Sequence, residues 1–158
     1  MACKCNFRVK FAFRPMALGM LITLIAASAG QQAQMIALQP ANASQSSTQY
    51  DWEAGRAVDG KPELTEWENL SCTATAWEPR PWWKVRMGPT SVQFVRITGR
   101  SDCCEERLNG TKLYLTRADA HDWTAGTLCA DTESAPWAAG ETRDIECSGF
   151  GETLWVVS

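Results

Sequence analysis

The chain reads as an all-β protein, and three observations predict it. Short runs of alternating apolar and polar residues recur; Gly, Pro, Asn and Asp separate them; and no window of a dozen residues carries a stripe of helical period. Such a pattern belongs to a sandwich or a barrel. Pro81-Trp82-Trp83-Lys84-Val85-Arg86-Met87-Gly88 is the clearest run, with Trp83, Val85 and Met87 on one face and Trp82, Lys84 and Arg86 on the other. Ser91 to Thr98 puts Val92 and Phe94 on one face and Val95 and Ile97 on the other, which predicts a bulge or burial on both faces. Thr111 to Thr116, Thr142 to Cys147 and Thr153 to Ser158 are further short strands. Eight tryptophans suit the packing of a small sandwich core.

The N-terminal end has the layout of a signal peptide. Lys4, Arg8, Lys10 and Arg14 precede an apolar run from Met16 to Ala27, and Ala27-Ser28-Ala29 supplies small residues for cleavage. The run is about 12 residues, short of the roughly 20 that a spanning helix needs, so residues 1–29 predict a secreted, extracellular protein with no membrane insertion after cleavage. Residues 30–40 read as a linker, and 41–158 as the domain. Within it, Asp51 to Val58 has room for a short helical turn that Asp59-Gly60 ends, and Lys61 to Ser71 reads as a long loop around Trp67.

Removing the leader's four cations would take the formal net charge from −3 to −7, which argues against nucleic acid as a partner. Of seven cysteines, Cys3 and Cys5 lie in the leader and five remain, in an export context where disulfides are expected. Five is odd: one thiol is unpaired, bonded between chains, or lacking its partner. Asn42-Ala43-Ser44, Asn69-Leu70-Ser71 and Asn109-Gly110-Thr111 fit the N-glycosylation acceptor pattern and agree with a secretory route.

Enzyme chemistry finds little support. The one histidine, His121, falls in a surface loop, and there is no Gly-x-Ser-x-Gly, P-loop or His-Glu-x-x-His pattern. The candidate site is instead Arg100-Ser101-Asp102-Cys103-Cys104-Glu105-Glu106-Arg107, which packs two guanidinium groups, three carboxylates and two thiols into eight residues. A guanidinium offers fixed donors suited to ring hydroxyls, phosphates or carboxylates, and a neighbouring carboxylate can hold it in place. A second candidate is the turn Arg56-Ala57-Val58-Asp59-Gly60-Lys61, whose carboxylate and free carbonyls are the hard oxygen donors that calcium takes.

The succession Gln45-Ser46-Ser47-Thr48, Ala57-Val58-Asp59-Gly60, Ser71-Cys72-Thr73, Pro81-Trp82-Trp83-Lys84-Val85 and Arg100 to Gly110 resembles the F-type lectin, or fucolectin, family over about 41–158. The resemblance implies a discoidin-like jelly-roll β-sandwich, non-enzymatic, that binds terminal L-fucose on fucosylated glycans in innate recognition. It implies that Arg100, Asp102 and Arg107 form the sugar motif, and that Cys103 and Cys104 join in a vicinal disulfide against the sugar. It places Trp67 near the apolar edge of fucose and pairs Cys129 with Cys147. It implies calcium as cofactor, held by Asp59 and Ser71 side chains and the carbonyls of Arg56 and Lys61. Family members often multimerise, which in a homo-oligomer would raise avidity.

There are departures. Ala74 stands where the family has a histidine, removing a hydrogen bond worth on the order of 1 kcal/mol. The family's last strand, with a Cys-Glu pair, would follow Ser158, so the domain is expected to be C-terminally truncated, with Cys72 as the odd thiol. An alternative follows: a discoidin-like adhesion or interaction module that has lost the sugar.

Overall fold

Alternation in Trp82–Met87 becomes the start of one long strand. The computed structural model describes residues 36–61, 72–132 and 136–158. Its strands are β1 (Ala43–Gln45), β2 (Trp82–Thr98), β3 (Lys112–Thr116), β4 (Thr127–Asp131) and β5 (Thr142–Val157), antiparallel throughout and ordered β1-β2-β5-β3-β4. The all-β reading holds; among the described residues the only helical pieces are 3₁₀ turns. Residues 1–29, with the leader, and most of the Lys61–Ser71 loop, with Trp67 and Ser71, lie outside the described residues.

Two pairs of expected short strands are each one continuous strand. Pro81 to Gly88 and Ser91 to Thr98 merge in β2, and Thr142 to Cys147 and Thr153 to Ser158 merge in β5. The pairing register between them shifts from Arg86↔Thr153 to Thr90↔Gly151, and again between Val92 and Phe94, where the broken alternation predicted a bulge. Gly88 adopts φ +73°, a left-handed conformation that suits glycine, so the chain turns there without leaving the sheet.

These irregularities curl the β2–β5 ribbon around a single core. Trp83 and Val85 from one half of β2 and Val92, Val95 and Ile97 from the other are buried in the same cluster with Leu113, Leu115, Leu154 and Val156. Cys129 on β4 is disulfide-bonded to fully buried Cys147 on β5, which fastens the sheet's edge over the core. Ile36 and Leu38, in the stretch read as linker, pack against this cluster, because two large aliphatic side chains gain more from burial than from water. The opposite face of the sheet carries Trp82, Lys84 and Trp155, with the Lys84 ammonium 4.2 Å from the Trp155 ring centroid. Burial there, and then Arg86, lower the Lys84 pKa.

The curl decides where the loops meet. Trp82, Lys112 and Val157 share one end of the sheet through the pairs Trp82↔Val157 and Lys112↔Val157. Ser46, just after β1, donates its amide to the Trp82 carbonyl at that same end. Arg100 leaves β2 from the far end, yet its guanidinium lies 5.6 Å from the Trp52 ring. The ribbon has therefore doubled back, bringing the 46–52, 72–81 and 99–111 loops to one pole.

Candidate functional site

At that pole the Arg100 side chain is nearly buried and clamped through Nε and Nη2. Its Nε donates to Asp102 Oδ1 at 2.5 Å and Nη2 donates to Asp102 Oδ2. A bidentate pair of this kind fixes a guanidinium in one plane. The Arg100 guanidinium, by hydrogen bonding first, holds the Asp102 carboxyl below the usual carboxylate range. The Arg100 guanidinium carbon lies 5.6 Å from the Trp52 ring centroid, within cation–π range.

Cys103 and Cys104 are disulfide-bonded to each other, and Cys104 sits in the left-handed region at φ +68°. A 3₁₀ turn, Glu105–Leu108, follows, with the Arg107 amide donating to the Cys104 carbonyl at 3.2 Å. The Arg107 Nε is 3.8 Å from Glu106 Oε1, a loose, solvent-screened contact that leaves the guanidinium able to reorient. Leu108 is buried beneath and anchors the turn.

The loop is held at both ends by the turn before β5. Gly99 donates its amide to the Glu141 carbonyl at 2.8 Å, and Gly140 donates to the Arg100 carbonyl at 2.5 Å. At the far end, the Trp137 amide donates to Asn109 Oδ1 at 3.0 Å. Arg143 braces that turn: Nε donates to Glu141 Oε1 at 2.5 Å, Nη2 to the Pro136 carbonyl at 2.5 Å, and its guanidinium lies 4.4 Å from the Trp137 ring. Arg143 holds the Glu141 carboxyl below its usual range and has its own pKa raised in return.

Ala74 is almost fully buried, with Trp52 and Cys72 packed against it. Where the sugar motif of the resembled family has an imidazole, the wall here is Ala74 backed by an indole. Gln45 organises it, donating Nε2 to the Trp52 and Ala74 carbonyls at 3.0 Å each and accepting the Thr73 hydroxyl at Oε1. Among the described residues, Cys72 is the free cysteine. Sequence reasoning missed Trp52, because a single aromatic in a segment without period marks no face; it also missed Trp137, Gly140, Glu141 and Arg143, whose only signal was a Gly-Glu turn with Glu and Arg two apart at the start of a strand.

The Arg56-to-Lys61 turn lies on the 3₁₀ turn Ala54–Val58, fixed to the core by the Trp83 indole, which donates to the Ala54 carbonyl at 2.9 Å. Asp59 Oδ1 accepts the Lys61 amide at 2.9 Å, and Gly60 is left-handed at φ +80°. Arg56 pairs with Asp51 at 3.0 Å. The Asp59 carboxylate and the Arg56 and Lys61 carbonyls fit a hard cation in donor type, though they are fewer than the six to eight oxygens calcium takes; Ser71 lies outside the described residues. Among the described residues, no three His, Cys, Asp or Glu side chains group to hold a metal. His121 is exposed on the rim of a cleft of about 590 Å³ that Arg117, Asp122 and Phe150 also line.

A family model described as a NedA-like, galactose-binding domain of the F5/F8 type C group matches residues 56–152. The chain is 31% identical over 96 residues to fucolectin of Anguilla anguilla, covering 60% of this chain and 59% of that protein. It superposes on the f-lectin (fucolectin) from Morone saxatilis serum with a TM-score of 0.66 at 29% identity, over 73% of this chain and 40% of that one. The lectin domain of lectinolysin, complexed with Lewis B antigen, gives a TM-score of 0.55 at 25% identity over 73% and 79%. The chain spans about half the length of the curated relatives it matches. The family model spans more than half of the chain, so the chain belongs to the F5/F8 type C family of galactose-binding domains.

Proposed function

We propose that this chain is a secreted lectin domain that recognises terminal L-fucose on glycans, in innate recognition. The observation that carries the reading is Arg100, nearly buried, locked by Asp102 and set beside the Cys103–Cys104 disulfide at the pole where the loops converge. A guanidinium whose rotamer is already fixed loses little entropy when it donates to vicinal hydroxyls, which favours binding of a small polar ring. Arg107 supplies the second, more mobile set of donors, and the disulfide offers an apolar, polarisable surface to a methyl group. Fucolectin relatives and the f-lectin structure support the sugar class. Calcium is proposed to rigidify the Asp59 turn, with Trp67 and Ser71 completing the site and the metal shell.

Binding of the full chain to immobilised fucosylated glycans, alongside Arg100→Ala, Arg107→Ala and Arg100→Lys, tests this. Loss in all three is expected, because an ammonium cannot reproduce the bidentate fork. Undiminished binding in the two alanine variants would refute the site.

The buried Ala74 favours one second reading, a discoidin-like adhesion module that kept the scaffold and lost the sugar. A well-folded sample with no response to millimolar fucose would select it.

A further inference from the structure

The acceptor pattern Asn109-Gly110-Thr111 lies on the arginine loop itself, directly after the 3₁₀ turn that carries Arg107. A φ of −63° and ψ of 138° at Asn109, a φ of +67° at Gly110, and the Thr111 amide donating to the Leu108 carbonyl at 3.3 Å make a type II turn over residues 108–111. Asn109 takes an outer corner of that turn and is exposed.

The two ends of the Asn109 carboxamide are used differently. Oδ1 accepts the Trp137 amide at 3.0 Å, while Nδ2 donates to no group among the described residues. Aspartate would make the same bond through a carboxylate oxygen, so holding Trp137 does not by itself require asparagine. Thr111, by contrast, is 1% exposed, and its hydroxyl meets Ser158 Oγ at 3.1 Å. The hydroxyl that completes the acceptor pattern is therefore within an enzyme's reach only before β3 and β5 pair.

We propose that Asn109 is a modification site: it takes an N-linked glycan during synthesis, from a lipid-pyrophosphate-linked oligosaccharide, and displays it on the rim of the arginine loop. Nδ2 bonds to the anomeric carbon as that carbon's bond to the pyrophosphate oxygen breaks; one amide proton is released and the lipid pyrophosphate leaves. Folding then proceeds without conflict, because Oδ1 still accepts the Trp137 amide and substitution of Nδ2 breaks no bond of the fold. Beside Arg107, the glycan limits how closely large, crowded ligands approach while leaving room for a single sugar. The assignment rests on the secreted, fucose-binding reading above.

The full chain, expressed with its own leader in a eukaryotic secretory host, tests it. Cleavage after Arg107 and Lys112 isolates residues 108–112, and peptide N-glycosidase in heavy-oxygen water is expected to return most of that peptide with a heavy-oxygen aspartate at position 109. Secreted protein whose peptide keeps its asparagine, or carries a light-oxygen aspartate from spontaneous deamidation, overturns the site while the secreted lectin reading stands. An endoglycosidase that trims the glycan to its first sugar should raise binding to a densely fucosylated surface severalfold and leave affinity for methyl α-L-fucoside unchanged. Unchanged surface binding overturns the placement on the rim. A chain that is neither secreted nor modified overturns the site and the secreted reading together, whereas a modified chain that binds neither ligand supports the site and overturns the fucose reading.

Discussion

Gly140 donates its backbone amide to the Arg100 carbonyl from a position where a side chain would be strained: φ is +72°, and a Cβ there would lie 3.1 Å from the Ser101 Cβ. The turn before β5 thus depends on glycine to reach the loop that carries the arginines.

Gly140→Ala is expected to cost about 1–2 kcal/mol from the left-handed backbone alone. It should also weaken fucose binding about tenfold, since Arg100 loses its fixed backbone. Thermal unfolding and sugar titration on the same sample check both. A lower midpoint with unchanged affinity would assign the turn to the fold and not to the site.

The two disulfides should separate in their effects. Cys129–Cys147 spans 18 residues and joins an edge strand to the core, so replacing both cysteines with alanine should cost on the order of 3 kcal/mol. Cys103–Cys104 encloses almost no chain, so Cys103→Ser with Cys104→Ser should leave stability within about 1 kcal/mol and remove most sugar binding. Denaturant midpoints and glycan binding give the comparison.

Acid should act through Asp102. Arg100 keeps that carboxyl charged below the ordinary value of 3.8, so the pair contributes fully above that value and is lost as pH falls through the depressed one. Sugar affinity is expected to be unaffected by this pair down through the ordinary carboxylate range and to decline only as pH falls through the depressed value. Asp102→Asn should bind weakly across the range and show no such acid limb.

Chelation offers a separate test of the Asp59 turn. With calcium at a hundredfold excess over its Kd, a resident ion would add about 2.7 kcal/mol of stability. Excess chelator should lower the unfolding midpoint accordingly, and Asp59→Ala should abolish the difference between calcium and chelator. Identical midpoints for the unsubstituted protein in both buffers would rule out a stabilising site.

Much of the fold was legible because alternation reports burial directly. Trp83 and Val85 face the core as their spacing requires, and the broken pattern at Val92 to Phe94 coincides with a shift in register. The merging of strands was not legible, since Gly88-Pro89 and Gly149-Phe150-Gly151 carry the signals of turns, while pairing between β2 and β5 carries the backbone through them. In the site, the Arg100–Asp102 pair is two residues apart and its chemistry could be read locally. Trp52, Ala74 and Gly140 reach it only through contacts that the curl of the ribbon creates, and no local pattern encodes those.

The anchoring of the arginine loop has a practical side. Its entry is fixed by Gly99 and Arg100 on the 138–141 turn and its exit by Asn109 on Trp137, so the eight residues between behave as a cassette between two clamps. Libraries that randomise 101–108 while keeping Leu108 apolar would vary the recognition surface without disturbing the strands, making this small sheet a scaffold on which new sugar specificities could be selected.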